Sequence, residues 1–219
     1  MNISIVRVRA SEAAHLSAFA SECFDNTYGP LCRAADVDAY IAQSLSPSAL
    51  LPVLTDPTSW VFAAIIDDVW VGYAHVHLAS LPAGMVNTHE SAPSITPMEV
   101  SRFYVSRKWI GKGVSQQLLR TIITHAKSHG AETLWLSVWQ ENGRATSFYA
   151  KSGFSIIGTS TFLMGEDLQH DYIMQRVISR MTQEEAEQRN ADPTEFARSS
   201  SVRNDSGPRD ATHDNYKLN

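Results

Sequence analysis

Residues 110–115 read Ile-Gly-Lys-Gly-Val-Ser, so two glycines, Gly111 and Gly113, flank Lys112. An apolar run, MEVSRFYV (98–105), precedes them, and an amphipathic run, VSQQLLRTIITHAKSHG (114–130), follows. A chain that leaves a strand, turns on two glycines and enters a helix exposes unpaired backbone N–H groups, and these attract an anion such as phosphate. The same residues also read as an ordinary helix start, and spacing alone does not separate the two. His75 and His77 sit at i and i+2 on one strand face. With no third ligand in view they read as a solvent-facing pair and not as a metal site. Cys23 and Cys32 are the only cysteines. They are too few for a disulfide framework, lack a CxxC spacing, and read as free thiols in a reducing compartment.

The elements that would position these residues follow from periodicity. ISIVRVR (3–9) alternates as a strand, and SEAAHLSAFASECF (11–24) has helical spacing that NTYGP (26–30) breaks. ADVDAYIAQSL (35–45) is a second helix with Asp36 as the expected N-cap, and SPSALLPVLTDP is a short helix and turn. SWVFAAIID and VWVGYAHVHL form a hairpin about Asp67 and Asp68. Residues 79–95 are a long polar loop. The strand 97–105 follows, with Glu99, Ser101, Phe103 and Val105 on one face by simple alternation. Val114, Leu118, Ile122 and Ala126 mark one apolar face of the next helix, which Gly130 stops. TLWLSVW, the helix 141–153, FSIIGTSTFLMG and HDYIMQRVIS complete the order βααββ-loop-βαβαββ. The central strand–helix–strand unit implies a parallel pair, and the flanking hairpins imply antiparallel neighbours. The expected fold is therefore a single-domain α/β structure with a mixed sheet flanked by helices.

Composition bounds the function. The chain has 219 residues, 43% hydrophobic and 19% charged, with a net charge of −5. That suits one domain over residues 1–180 and argues against a nucleic-acid-binding surface. Residues 181–219 are polar and poor in large apolar side chains, as expected for a disordered tail. The start lacks a signal-peptide pattern, and no apolar run reaches the roughly 18 residues of a membrane span. A cytoplasmic location without membrane association is expected.

FDNTYGP, MEVSRFYV, GKGVSQQLL, LWLSVWQENGRATSFYAKSGFSIIG and FLMGEDLQHDYIMQRVI occur in this order. Together they resemble the GNAT superfamily of acyl-CoA-dependent N-acetyltransferases, most like its bacterial polyamine-type branch, over residues 3–179. The resemblance implies acetyl-CoA as cosubstrate, no metal, and a small-molecule amine acceptor. A homodimer stays open. It aligns Ile110, Gly111, Lys112, Gly113, Val114 and Ser115 with the pyrophosphate loop. Ile110 stands where that family has Arg or Gln, and Ser115 where it has Gly or Ala. It places pantetheine along the backbone of Phe103, Tyr104 and Val105.

The resemblance also implies that Tyr149 protonates the departing thiolate and that Glu99, directly or through water, takes the amine proton. Asn142 would contact the cofactor or cap its helix, and Arg144 would contact the cofactor phosphates or be solvated, with solvation favoured. Phe24, Tyr28 and Trp139 would be core aromatics or acceptor-pocket walls. Asp167, His170 and Asp171 lie near the last hairpin without an assigned role. Two rivals remain: a protein lysine or N-terminal acetyltransferase, and a non-catalytic acetyl-CoA-binding module suggested by the altered loop.

Overall fold

The computed structural model describes residues 2–82, 97–164 and 167–178. Most of the long loop expected over 79–95 and the expected C-terminal tail lie outside the described residues. Seven strands form one sheet in the order β1-β2-β3-β4-β5-β7-β6. They are β1 (Ser4–Arg7), β2 (Ser59–Ile66), β3 (Val69–Leu78), β4 (Met98–Val105), β5 (Thr133–Trp139), β6 (Ser155–Met164) and β7 (Asp167–Val177). The helices are α1 (Ala13–Tyr28), α2 (Ala34–Tyr40), α3 (Pro47–Thr55), α4 (Val114–Ser128) and α5 (Gly143–Lys151). The expected mixed α/β fold is what forms: β4 and β5 are parallel and the remaining pairs are antiparallel.

Local chemistry explains most of the element ends. Asp67 and Asp68 take positive φ values of 49° and 61°, the mirror-image turn that suits a twisted two-residue hairpin. Ser46 accepts a hydrogen bond from the Ala49 amide and caps α3, with Pro47 at the first helical position. Gly130 follows α4 with φ 75°.

Three expectations change. The helix expected over 11–24 runs on through Tyr28, so the break within 26–30 falls at its Gly29–Pro30 end. Asp36 is not an N-cap. α2 starts at Ala34, so Asp36 lies in its first turn, where its carboxylate still favours the helix dipole. α2 also does not run regularly to Leu45 but passes into a π-turn over Ile41–Leu45.

The sheet separates two apolar layers. One holds α4 and α5: Val114, Leu118 and Ile122 pack with Phe62, Val76, Met98, Val100 and Leu134. The other holds α1–α3: Leu16, Phe24, Tyr28, Tyr40 and Leu45 pack with Val61, Tyr73 and Tyr104. Gly72 allows α4 to lie close on β3. A Cβ there would come within 2.9 Å of the Tyr104 carbonyl oxygen, 3.1 Å of Leu118 and 3.2 Å of Val114.

Candidate active site

Strand β4 shapes the site through two departures from a regular ladder. The first is a bulge. His75 pairs with Arg102 and Val76 with Val100, so Ser101 is the extra residue on β4. The bulge resets the alternation. Phe103 and Val105 turn to the α4/α5 layer, whereas Tyr104 joins the α1–α3 layer. The expectation that Glu99, Ser101, Phe103 and Val105 share one face is therefore wrong beyond Ser101. Glu99 and Ser101 reach the histidines of β3, and Arg102 and Tyr104 follow them on that side.

The second departure is a fork. β4 pairs with β5 only at Met98↔Leu134 and Glu99↔Trp135. Beyond those residues β5 stays bound to β7 along its whole length, through Trp139↔Asp171. Beyond Glu99 no further ladder pair joins β4 to β5 among the described residues, so the two strands part along Val100–Val105. Unpaired strand amides and carbonyls seek an extended partner with the same alternation of donors and acceptors. The predicted pantetheine-binding residues Phe103, Tyr104 and Val105 all line this stretch.

The glycine loop lies just past the open end of β4. A short turn over Arg107–Trp109 leads to Ile110, and Gly113 is the N-cap of α4. Gly111 and Gly113 have φ of 78° and 87°, which only glycine adopts readily. A Cβ at either would meet nothing within 4 Å, so glycine is required by conformation and not by crowding. No side chain caps α4, and its first-turn N–H groups are left for a ligand or solvent. Lys112 Nζ lies 4.7 Å from the Trp109 ring centroid, a cation–π contact that holds the ammonium near the helix mouth. Val114 is buried against β3, so it offers the loop only its backbone. Ser115 and Ile110 are partly exposed.

Tyr149 projects from α5 into the α4/α5 layer and is 3% exposed. Its ring makes edge contacts with Phe103 at 6.1 Å, Phe148 at 5.3 Å and Phe154 at 5.6 Å. Burial raises its phenol well above the ordinary value, and its hydroxyl has no hydrogen bond among the described residues. It is held protonated beside β4. Asn142 caps α5, its side-chain oxygen accepting from the Ala145 amide at 3.1 Å. Arg144 is exposed, as expected.

Glu99 is 6% exposed, and its carboxylate lies 3.6 Å from His77 Nε2. It faces the layer opposite Tyr149. His75 and His77 are not the solvent-facing pair the sequence implied. His75 is 7% exposed and bonds Ser59 Oγ at 2.8 Å and Ser101 Oγ at 2.7 Å. Both of its ring nitrogens are thus occupied. Burial, then Arg102 and His77, holds it well below the usual histidine value. The bulged Ser101 is what brings its hydroxyl to this ring.

The same face carries residues that sequence reasoning missed. Arg102 is surrounded by Tyr40, Tyr73 and Tyr104. The Tyr28 and Tyr104 hydroxyls share a hydrogen bond, with the Asp171 carboxylate close to Tyr28. Tyr28 also packs on Trp139 at 6.0 Å and Phe24 at 4.6 Å, so all three expected pocket aromatics meet here. Only the bulge puts Arg102 on this side, and a lone serine within a strand does not announce a bulge.

The chain was compared with known proteins. The model of the Acetyltransferase (GNAT) family matches residues 30–154. An uncharacterized N-acetyltransferase of Mycobacterium tuberculosis is 31% identical over 168 residues, 77% of this chain and 99% of that protein. Another, from Lactobacillus delbrueckii subsp. lactis, is 23% identical over 176 residues, 80% of this chain and 98% of that protein. Among solved structures, the PaiA N-acetyltransferase of Thermoplasma acidophilum in complex with coenzyme A superposes with a TM-score of 0.64 at 21% identity, covering 81% of this chain and 99% of that one. Arabidopsis thaliana NAA60 with a bisubstrate analogue superposes at 0.61 with 12% identity, covering 82% and 100%. At these identities the superpositions show a shared fold.

Proposed function

The chain belongs to the GNAT family of acetyltransferases, enzymes whose acetyl donor is acetyl-CoA, and from that premise we propose that it acetylates a small-molecule primary amine by direct attack in a ternary complex. The observation that carries the reading is the fork. The stretch of β4 that has parted from β5 leads from the glycine-capped mouth of α4 to the neighbourhood of Tyr149, which suits an extended thiol ester with a phosphate-bearing end.

In this reading the pyrophosphate sits on the backbone of Gly111–Ser115, with Lys112 adding charge. The missing polar side chain at Ile110 removes one contact and leaves the backbone donors intact. The pantetheine amides pair with Phe103, Tyr104 and Val105. The amine nitrogen attacks the thioester carbon from the α1–α3 side. A β4 backbone N–H holds the oxyanion. As the C–S bond breaks, the Tyr149 hydroxyl gives its proton to the sulfur. Glu99, directly or through water, takes the proton lost by nitrogen. Tyr149 then regains a proton from solvent. Cys23 is not placed to carry the acetyl group: it is buried, with its thiol pushed up to about 12 by that burial and by Glu22.

The polyamine acceptor that the sequence resemblance implied has the acids Glu99 and Asp171 in its favour and the cation Arg102 against it. Calorimetric titration with acetyl-CoA and then CoA, followed by CoA-release assays on an amine panel, tests the proposal. Binding with turnover of small amines is the expected result. Label transferred from acetyl-CoA only to protein bands would favour a protein acceptor. Tight binding without turnover of any amine would favour a non-catalytic module.

A further inference from the structure

We infer that the acceptor amine also carries a carboxylate, which Arg102 and the hydroxyls of Tyr40 and Tyr73 receive on the α1–α3 face of β4. This rests on the acetyl-transfer reading above and narrows its substrate class.

The argument starts from an unbalanced charge. The Arg102 guanidinium donates to the Ser44 carbonyl oxygen at 3.3 Å and lies within reach of the Tyr40 hydroxyl. No carboxylate stands within ion-pair distance of it among the described residues. A cation enclosed by side chains is costly unless an anion or several acceptors meet it. Its neighbours are phenols instead. Burial opposes its charge, but Tyr40, Tyr73 and Tyr104 more than offset that, and its pKa is held above the ordinary value. Arg102 as a whole residue is of intermediate exposure.

The phenols are the second observation. The hydroxyls of Tyr40 and Tyr73 are buried and have no well-formed hydrogen bond among the described residues, although Tyr40 lies close enough to Arg102 to act on its charge. Buried polar groups of this kind are uncommon and call for an explanation. Two idle O–H donors beside a guanidinium fork form a receptor for an oxyanion, and a planar carboxylate suits the fork bidentately. The rings are held in place: Tyr40 stacks on Phe24 at 4.4 Å and Tyr73 on Tyr104 at 5.5 Å. The receptor is therefore preorganised.

Its placement separates it from the acetyl donor. The glycine loop opens onto α4, in the opposite layer from Arg102. The bulge at Ser101 aligns Arg102 with Glu99 on one face, and the two backbones are roughly 7–10 Å apart at about 3.3 Å per strand residue. An amine and a carboxylate a few bonds apart span that gap, with nitrogen toward Glu99 and carboxylate toward Arg102. A diamine would instead bring a second ammonium against Arg102.

Matched acceptors test this: lysine against 1,5-diaminopentane and phenylalanine against phenethylamine, at saturating acetyl-CoA. The expected result is kcat/KM at least about tenfold higher for the carboxylate member of each pair, carried mainly by KM. Arg102→Gln should abolish the preference and Arg102→Lys restore part of it. Tyr73→Phe, which keeps the ring and its stacking, should weaken it several-fold without shifting Tm by more than a few degrees, and covers the case in which Arg102→Gln does not fold. Equal or better turnover of the carboxylate-free amines overturns the inference, as does an unchanged preference in Tyr73→Phe together with any folded Arg102 variant. The same pairs titrated calorimetrically into CoA-saturated protein read the preference without turnover, and no preference there also overturns it. Failure of acetyl-CoA itself to bind would instead sink the acetyl-transfer reading.

Discussion

Tyr149 and Gly113 make separate demands on single atoms. If Tyr149 supplies the thiolate's proton, Tyr149→Phe removes the donor and little else, because its hydroxyl has no hydrogen bond to lose among the described residues. We expect kcat to fall about 10²-fold or more, the usual worth of a positioned acid, with acetyl-CoA affinity and Tm nearly unchanged. Steady-state kinetics on any active amine checks this, and an unaltered kcat would return Tyr149 to the core. Gly113→Ala acts through backbone strain, since φ is 87° and a Cβ would meet no neighbour. Left-handed conformation costs an L-residue roughly 1–2 kcal/mol. Urea denaturation should show a loss of that size, and acetyl-CoA titration a weaker Kd as the loop relaxes away from its anion-binding shape.

Elements were legible where a local pattern dictates them. The four-residue repeat of Val114, Leu118, Ile122 and Ala126 gives α4, and the Asp67–Asp68 pair gives the hairpin of β2 and β3. What hid was set by partners distant in the chain. Ser101 bulges because of how β3 pairs with it, and β7 lies between β5 and β6 because of tertiary pairing. As a result the glycine turn ahead of α4 could be read from the sequence, whereas the gathering of Arg102, Tyr40 and Tyr73 on one face of β4 could not, and the facing of Phe103 and Val105 was misread. The close seat of α4 on β3 offers a test at this scale. Gly72→Ala would push a methyl against the Tyr104 carbonyl oxygen at 2.9 Å, a backbone atom that cannot swing aside, and against two side chains of α4. Overpacking of that kind costs about 1–3 kcal/mol. Because the shift would move α4 relative to β4, acetyl-CoA affinity should fall together with the denaturation midpoint. A loss of stability with unchanged affinity would show that the loop is positioned independently of the helix seat.

For the whole molecule, the sheet is a partition between two apolar layers, and the proposal sets the donor against one, the acceptor against the other and the reaction where β4 and β5 part. That arrangement buries polar groups inside the acceptor layer, and His75 is the one with a consequence for folding. It bridges Ser59 and Ser101 beneath Arg102, enclosed and uncharged. In the unfolded chain it would protonate near pH 6.5, whereas in the folded chain burial, Arg102 and His77 hold it neutral to well below that. Between those two values the unfolded state binds the extra proton, so acid favours unfolding. The contribution of His75 is complete above about pH 6.5 and is lost as pH falls toward its depressed native value. His77, lowered mainly by burial, adds in the same direction. Denaturant melts at pH 7.5 and 5.5 should therefore show a drop in stability that is smaller in His75→Gln, which keeps hydrogen-bonding capacity but has no proton to gain. The variant is expected to be less stable than the parent at pH 7.5 and to close part of that gap at pH 5.5. Equal pH slopes in the two proteins would mean that the Ser59–His75–Ser101 bridge opens to solvent readily, and that the acceptor layer is looser than its packing shows.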